Sequence, residues 1–187
     1  MCIQNKTCNL RSYDMKSNLI YNFLSIFGDG FADDFFTIRI LLKHLVLQKI
    51  FRINAHVPWP VHWTTTVKHP EKIQRGTRFP GYSVGCYLDG RNGIILGQNV
   101  RIGPKVNLIS MNHELNEYDQ FVKTEPIVIG DNCWLGTGVT ILPGVRLGNH
   151  VVCAAGAVVN KSFLEDNILL AGVPAKVVKR LPKYGKN

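Results

Sequence analysis

Aliphatic residues recur at every sixth position through most of the second half of the chain. Written in sixes from Val84, the sequence reads VGCYLD GRNGII LGQNVR IGPKVN LISMNH, breaks, and resumes from Ile129 as IGDNCW LGTGVT ILPGVR LGNHVV CAAGAV VNKSFL. The first position is aliphatic in nearly every unit, glycine often follows it, and the fifth is mostly small or β-branched. A period of six matches neither an amphipathic helix near 3.6 nor an alternating strand at two. It predicts an all-β coil of short strands joined by tight bends, with first and fifth positions pointing inward. Successive coils then stack at about 4.8 Å, the spacing of hydrogen-bonded strands. One unit cannot bury its own face, so such a coil gains stability as an array. Val67, Ile73 and Phe79 are also six apart and predict a looser, offset turn ahead of the regular set.

The beat fails between Leu108 and Ile129, which are 21 residues apart, three and a half units. That stretch has to leave the coil and return, predicting an excursion over 113–127. His113 stands at its root, next to Asn112, in the last unit that keeps phase. Loops held by a rigid scaffold often carry function. A histidine placed there can accept a proton near neutral pH, its ordinary pKa being about 6.5. Glu114, Glu117 and Asp119 are the nearby acids that could orient the ring.

The ends carry different patterns. The segment FADDFFTIRILLKHLVLQKIF (31–51) predicts a helix, with Asp33 and Asp34 in its first turn, where negative charge favours the helix dipole. Its wide apolar face predicts packing on the first coil or on a neighbouring subunit. Arg39, Lys43, Lys49 and Arg52 allow a second reading, peripheral contact with an anionic membrane face. At the other end, DNILLAGVPAKVVKRLPK predicts an extended turn followed by a short basic helix from about residue 174. The organisation read from the chain is a helical extension (1–56), a coil domain (57–180) and a basic tail (181–187).

Composition narrows the partners. The 187 residues suffice for one domain with an appendage, and the formal net charge is +9. Only the excursion is acidic: the net is +3 over 1–56, +5 over 57–111, −3 over 112–128 and +4 over 129–187. A basic body suits anionic small molecules or an anionic membrane, and no nucleic-acid-binding motif accompanies it. There is no run of eighteen apolar residues and no signal-peptide pattern. Cys2, Cys8, Cys86, Cys133 and Cys153 have no metal-ligand spacing and read as reduced thiols of a cytoplasmic protein. Cys133 and Cys153 fall at inward positions, whereas Cys86, at a third position, is expected to be more accessible.

The repeat, with IGDNCWLGTGVTILPGVRLGNHVVCAAGAVV as its clearest stretch, resembles the hexapeptide-repeat acyltransferases over about residues 66 to 180. The pattern comes closest to maltose, galactoside and polysaccharide-biosynthesis O-acetyltransferases. The resemblance implies a left-handed parallel β-helix, a homotrimer, and acetyl-CoA lying in a groove between two subunits. It implies that His113 is a general base, and that Trp134 and the Thr137 amide meet the thioester end of acetyl-CoA. By the same match, Ala155 leaves room for the pantetheine arm, Asn160, Lys161, Lys176 and Lys179 lie near the nucleotide phosphates, and Val173 and Pro174 form the turn beside it. Ser83, Arg91 and Asn112 fall at acceptor positions. No metal is expected: the related zinc enzymes of this fold need a second histidine five residues after the first, and position 118 is Tyr.

The match departs at the acceptor. Ser83 and Arg91 stand where galactoside acetyltransferases carry Asn and Asp, and the opening helical pattern of those enzymes is absent. The expected activity is therefore acetyl transfer to a hydroxyl of a sugar or glycan precursor, directly within a ternary complex. An N-acyltransferase, a xenobiotic acetyltransferase and a catalytically silent trimeric module are the alternatives. The expected location is the cytoplasm, with peripheral contact at the inner membrane face.

Overall fold

The computed structural model describes residues 22–27 and 38–185. Three parallel sheets run the length of the coil. The first face stacks Thr66–Lys68, Tyr87–Asp89, Asn107–Ile109, Thr140–Ile141 and Val158–Val159. The second stacks Ile73–Gln74, Ile94–Leu96, Ile127–Ile129 and Arg146–Leu147, and the third stacks Arg101–Ile102, Trp134–Leu135, Val151–Cys153 and Ile168–Ala171. The chain visits the faces in turn, making a solenoid of about five turns.

The inward positions form one core along the axis. Leu96, Leu108, Ile129, Leu135, Ile141, Leu147, Cys153 and Val159 at first positions are buried, as are Leu88, Ile94, Val100, Val106, Cys133, Val139, Val145, Val151 and Ala157 at fifth positions. Burial pushes the Cys133 thiol up to about 11 and the Cys153 thiol up to about 12, so both are inert packing groups. The opening unit departs from the predicted phase. Leu88 pairs with Leu108, twenty residues on, whereas Ile141 pairs with Val159, eighteen on. The two extra residues leave Val84 exposed and turn Cys86 inward, where burial raises its thiol pKa. The expected accessibility of Cys86 is thus corrected.

The corner between the second and third faces is a polar ladder that the hexad reading did not anticipate. Asn99, Asn132, His150 and Asn167 occupy equivalent rungs, all left-handed, with φ of 54°, 57°, 51° and 58°. Asparagine tolerates that conformation better than most residues with a Cβ. Beside them, the Asp131 carboxylate accepts from the Gln98 amide at 2.7 Å, Asn149 Oδ1 from the Asp131 amide at 2.9 Å, and the Asp166 carboxylate from the Asn149 amide at 2.6 Å. Each coil is therefore pinned to the next by side chain as well as by main chain.

The ends of the stack are closed in two ways. Helix α1 (Ile38–Leu45), continued by a wider turn over Val46–Ile50, packs against the approach to the first coil. Its inward residues are polar. The Gln48 amide group accepts from the Val61 N–H at 3.0 Å and donates to the Trp59 carbonyl at 3.1 Å, while His44 Nδ1 donates to the Val61 carbonyl at 3.0 Å. These groups satisfy main chain that would otherwise be an open edge. Burial lowers the His44 pKa, which keeps the imidazole neutral at its post. Of the apolar residues expected to pack on the first coil or on a neighbouring subunit, Leu42, Val46 and Ile50 do not pack on the coil and are exposed in the single chain. Residues 31–37 of the predicted helix lie outside the described residues.

The predicted C-terminal helix is a strand. Lys176–Arg180 runs antiparallel to Ile168–Ala171 along the edge of the third face. The Gly172–Pro174 turn reverses the chain beside a free sheet edge, and β-branched Val177 and Val178 suit pairing there. Beyond it, the Leu181 amide donates to the Asn167 carbonyl at 2.6 Å and the Tyr184 hydroxyl accepts from Asn99 Nδ2 at 2.9 Å, folding the tail across the third face.

Candidate functional site

The excursion is a small hairpin rather than an open loop. Asn112–His113 pairs antiparallel with Phe121–Val122, and the Glu114 amide donates to the Gln120 carbonyl at 2.9 Å. The register shows how much chain the excursion holds. Leu108 pairs with Ile141, 33 residues on, against 18 for Ile141 and Val159, so fifteen residues are extra.

Asn92 fastens both roots of the hairpin. Its Nδ2 contacts the carbonyls of Ser110 and Val122 and the Thr124 hydroxyl, each at 3.0 Å, and its own amide donates to the buried Ser110 hydroxyl at 2.9 Å. Asn92 and Thr124 escaped the sequence reading. Asn92 lies in the coil below, and only the fold shows that it meets the excursion.

His113 is exposed within a cleft lined also by Asn112, Glu114, Leu115, Tyr118 and Thr124. Its Nδ1 donates to the Tyr118 carbonyl. A carbonyl can only accept, so a neutral imidazole there carries its proton on Nδ1 and presents a bare lone pair on Nε2. None of the three acids proposed as orienters holds the ring; Glu117 instead accepts from Gln120 at 2.8 Å. The ring also packs on Phe121, centroids 4.6 Å apart.

Phe121 links His113 to Arg91, whose guanidinium lies 4.8 Å from the Phe121 centroid. Arg91 is held by Asp89, a fully buried carboxylate, through Nη2 at 2.7 Å and Nε at 3.0 Å. Burial pushes the Asp89 pKa up, and the hydrogen bonds and charge of Arg91 more than reverse it, so the carboxyl sits below its usual range. The expected substrate residue Arg91 is therefore beside the site, while Ser83 is not. Its hydroxyl donates to the Ile102 carbonyl at 2.7 Å, and it lines a separate cleft with Arg78 and Tyr82.

The residues expected to meet acetyl-CoA fall into three groups. Thr137, Ala155 and Val173, with Pro174, stack on successive coils at the corner between the third and first faces. A Cβ added at Gly138 or Gly156 on that corner would meet nothing within 4 Å, so an open lane runs along it. The Thr137 amide has no hydrogen-bond partner among the described residues. Asn160 and Lys161 are exposed at the corner between the first and second faces, two coils beyond the hairpin. Trp134, 55% exposed, lies on the third face in a groove with His150 and Tyr184, and Lys176 and Lys179 lie on the edge strand of that face. None of these residues lines the His113 cleft. The small, open corner fits a narrow flexible arm, and the exposed lysines fit phosphates. Among the described residues, no three His, Cys, Asp or Glu side chains gather as metal ligands would.

Residues 126–161 match the model of the bacterial transferase hexapeptide, six repeats. The galactoside O-acetyltransferase of Escherichia coli is 37% identical over 98 residues, covering 50% of this chain and 47% of that protein. A protein of the same organism named as an O-acetyl transferase of lipopolysaccharide biosynthesis is 27% identical over 174 residues, covering 75% of this chain and 86% of its own. The chain spans about half the length of the first curated relatives it matches, 48% and 44%. Among solved structures, an N-acyltransferase from Bacillus cereus, in complex with coenzyme A and a dTDP-sugar, superposes with a TM-score of 0.54. The superposition covers 64% of this chain and 79% of that one at 18% identity, a likeness of fold. The fold is the left-handed parallel β-helix expected from the repeat.

Proposed function

We propose that this hexapeptide-repeat protein is a CoA-dependent O-acetyltransferase acting on a hydroxyl of a sugar or glycan precursor, with His113 as general base. The observation that carries the reading is the contact of His113 Nδ1 with the Tyr118 carbonyl, which leaves Nε2 to act as the base of a residue that lines a cleft on a firmly rooted hairpin. Nε2 takes the proton of the acceptor hydroxyl as its oxygen attacks the thioester carbonyl. The carbon–sulfur bond then breaks, and the CoA thiolate recovers the proton from the imidazolium. The Thr137 amide would donate to the developing oxyanion. Among the described residues no cysteine is accessible for an acyl-enzyme, since Cys86, Cys133 and Cys153 are buried.

Within one chain, His113 and the Thr137 corner lie at different edges of the prism. A complete site therefore requires a second copy to bring its open corner against the hairpin, and a homotrimer supplies this three times over. The deciding experiment is calorimetric titration with acetyl-CoA. Binding of about one equivalent per chain, lost in Trp134→Ala and Lys161→Ala, is the expected result. Absence of binding by acetyl-CoA, CoA and longer acyl-CoAs would leave a silent scaffold as the better account. An acceptor panel with amines and drug-like alcohols then separates O-acetylation from its neighbours.

Peripheral membrane contact has a specific observation in its favour. Leu42, Val46, Ile50 and Phe51 are exposed near Lys43 and Arg52. No described helix is long and apolar enough to cross a membrane. Cosedimentation with anionic liposomes at low salt, weakened by Ile50→Asp and Phe51→Asp, is expected. No cosedimentation with such vesicles would sink the membrane contact.

A further inference from the structure

We infer that the acceptor carries a phosphate, held in a basic cleft that adjoins the His113 cleft through Thr124. The inference rests on the transferase reading and names its substrate class. The cleft, about 590 Å³, is lined by Lys72, Arg91 and Lys123, by the neutral side chains of Asn92 and Thr124, and by Phe121, and no carboxylate lines it.

The three cations differ in their commitments. Arg91 spends Nε and Nη2 on Asp89, which cancels its charge and fixes its plane, while Nη1 has no partner among the described residues. Lys72 donates once, to the Arg91 carbonyl at 3.0 Å, and Lys123 has no ion pair among the described residues. The one acid whose carboxyl Lys72 helps hold low, its sequence neighbour Glu71, is bonded to His69 at 2.8 Å. Two ammonium groups with no ion pair among the described residues, and a spare guanidinium edge, thus line one cleft. A phosphate, with about two negative charges and three acceptor oxygens, matches that set better than a neutral hydroxyl does.

The position is as informative as the charge. Thr124 lines both this cleft and that of His113, and the Phe121 ring touches both Arg91 and His113. A phosphate seated by Lys72 and Lys123 would leave the attached sugar to pass along the Phe121 edge and offer a hydroxyl to Nε2. Free sugar phosphates, nucleotide sugars and diphosphate-linked lipid sugars share this chemistry.

The test is equilibrium binding to the full chain, with and without saturating CoA. The probes are a hexose, its 1-phosphate, the matching UDP-hexose and inorganic phosphate, over a panel of common hexoses. Phosphorylated probes should bind at least about tenfold more tightly than the free sugar, a margin that narrows as salt rises. Lys72→Gln/Lys123→Gln should erase most of that margin and Lys72→Arg/Lys123→Arg should keep it. A tighter 1-phosphate than UDP-hexose would identify a monophosphate source, and the reverse a diphosphate one. Equal affinities, or a margin that survives the glutamine pair, would overturn the inference. CoA binding is read in the same titrations: its loss counts against the transferase reading, and its presence with indifferent acceptors counts against the phosphate alone.

Discussion

His113→Ala should give a folded protein that binds acetyl-CoA normally and turns over at least about 100-fold more slowly, the usual worth of a positioned base. The fold should be indifferent because the ring is exposed and its contacts, the Tyr118 carbonyl and the Phe121 face, belong to the hairpin rather than to the core. The loss should fall on kcat, since proton removal is felt in the transition state and acetyl-CoA is expected to lie against residues outside this cleft. Steady-state kinetics on the first acceptor found, together with circular dichroism and sizing, would decide it. Full activity in a correctly folded variant would end the assignment of His113 as base.

The second large effect concerns stability. At Gly130, a Cβ would lie 2.5 Å from the Gly148 carbonyl oxygen of the next coil, and the two nearest atoms are both backbone. Gly130→Ala should therefore cost about 3 kcal/mol, at the upper end of overpacking effects. Gly138→Ala is the control. Its left-handed φ of 69° disfavours a side chain, but a Cβ there meets nothing within 4 Å, so only conformational strain of about 1–2 kcal/mol is expected. Urea unfolding at one protomer concentration compares the two fairly, because association shifts apparent stability. Equal losses at both glycines would mean that the coils are not in the tight contact described.

The aliphatic period carried most of the scaffold, because each sixth residue lands on the same inner line whatever face it serves. It misphased Val84, since two extra residues in an early coil leave no mark on composition. The helix predicted at the C-terminus became the edge strand Lys176–Arg180 because an unpaired sheet edge outweighs the weak local preference of five residues. His113 could be located from the break in the pattern. Its orienting group could not, because a main-chain carbonyl has no signature in the sequence. Asn92 was hidden for a different reason. It contacts Val122, thirty residues away, and no local pattern records such a meeting. The inward Gln48 and His44 reversed the usual rule, since there main chain rather than apolar surface needed covering.

The fifteen-residue excursion also bears on how such a protein folds and diversifies. Closing a separation of 33 residues rather than 18 adds only about half a kcal/mol of chain entropy, because that cost grows with the logarithm of length. Coils on either side can zip up from near neighbours, and the detour delays only one step of the propagation. Any corner of the prism could therefore host a longer or shorter detour at little thermodynamic consequence. Lineages could exchange the hairpin while inheriting the same girder unchanged.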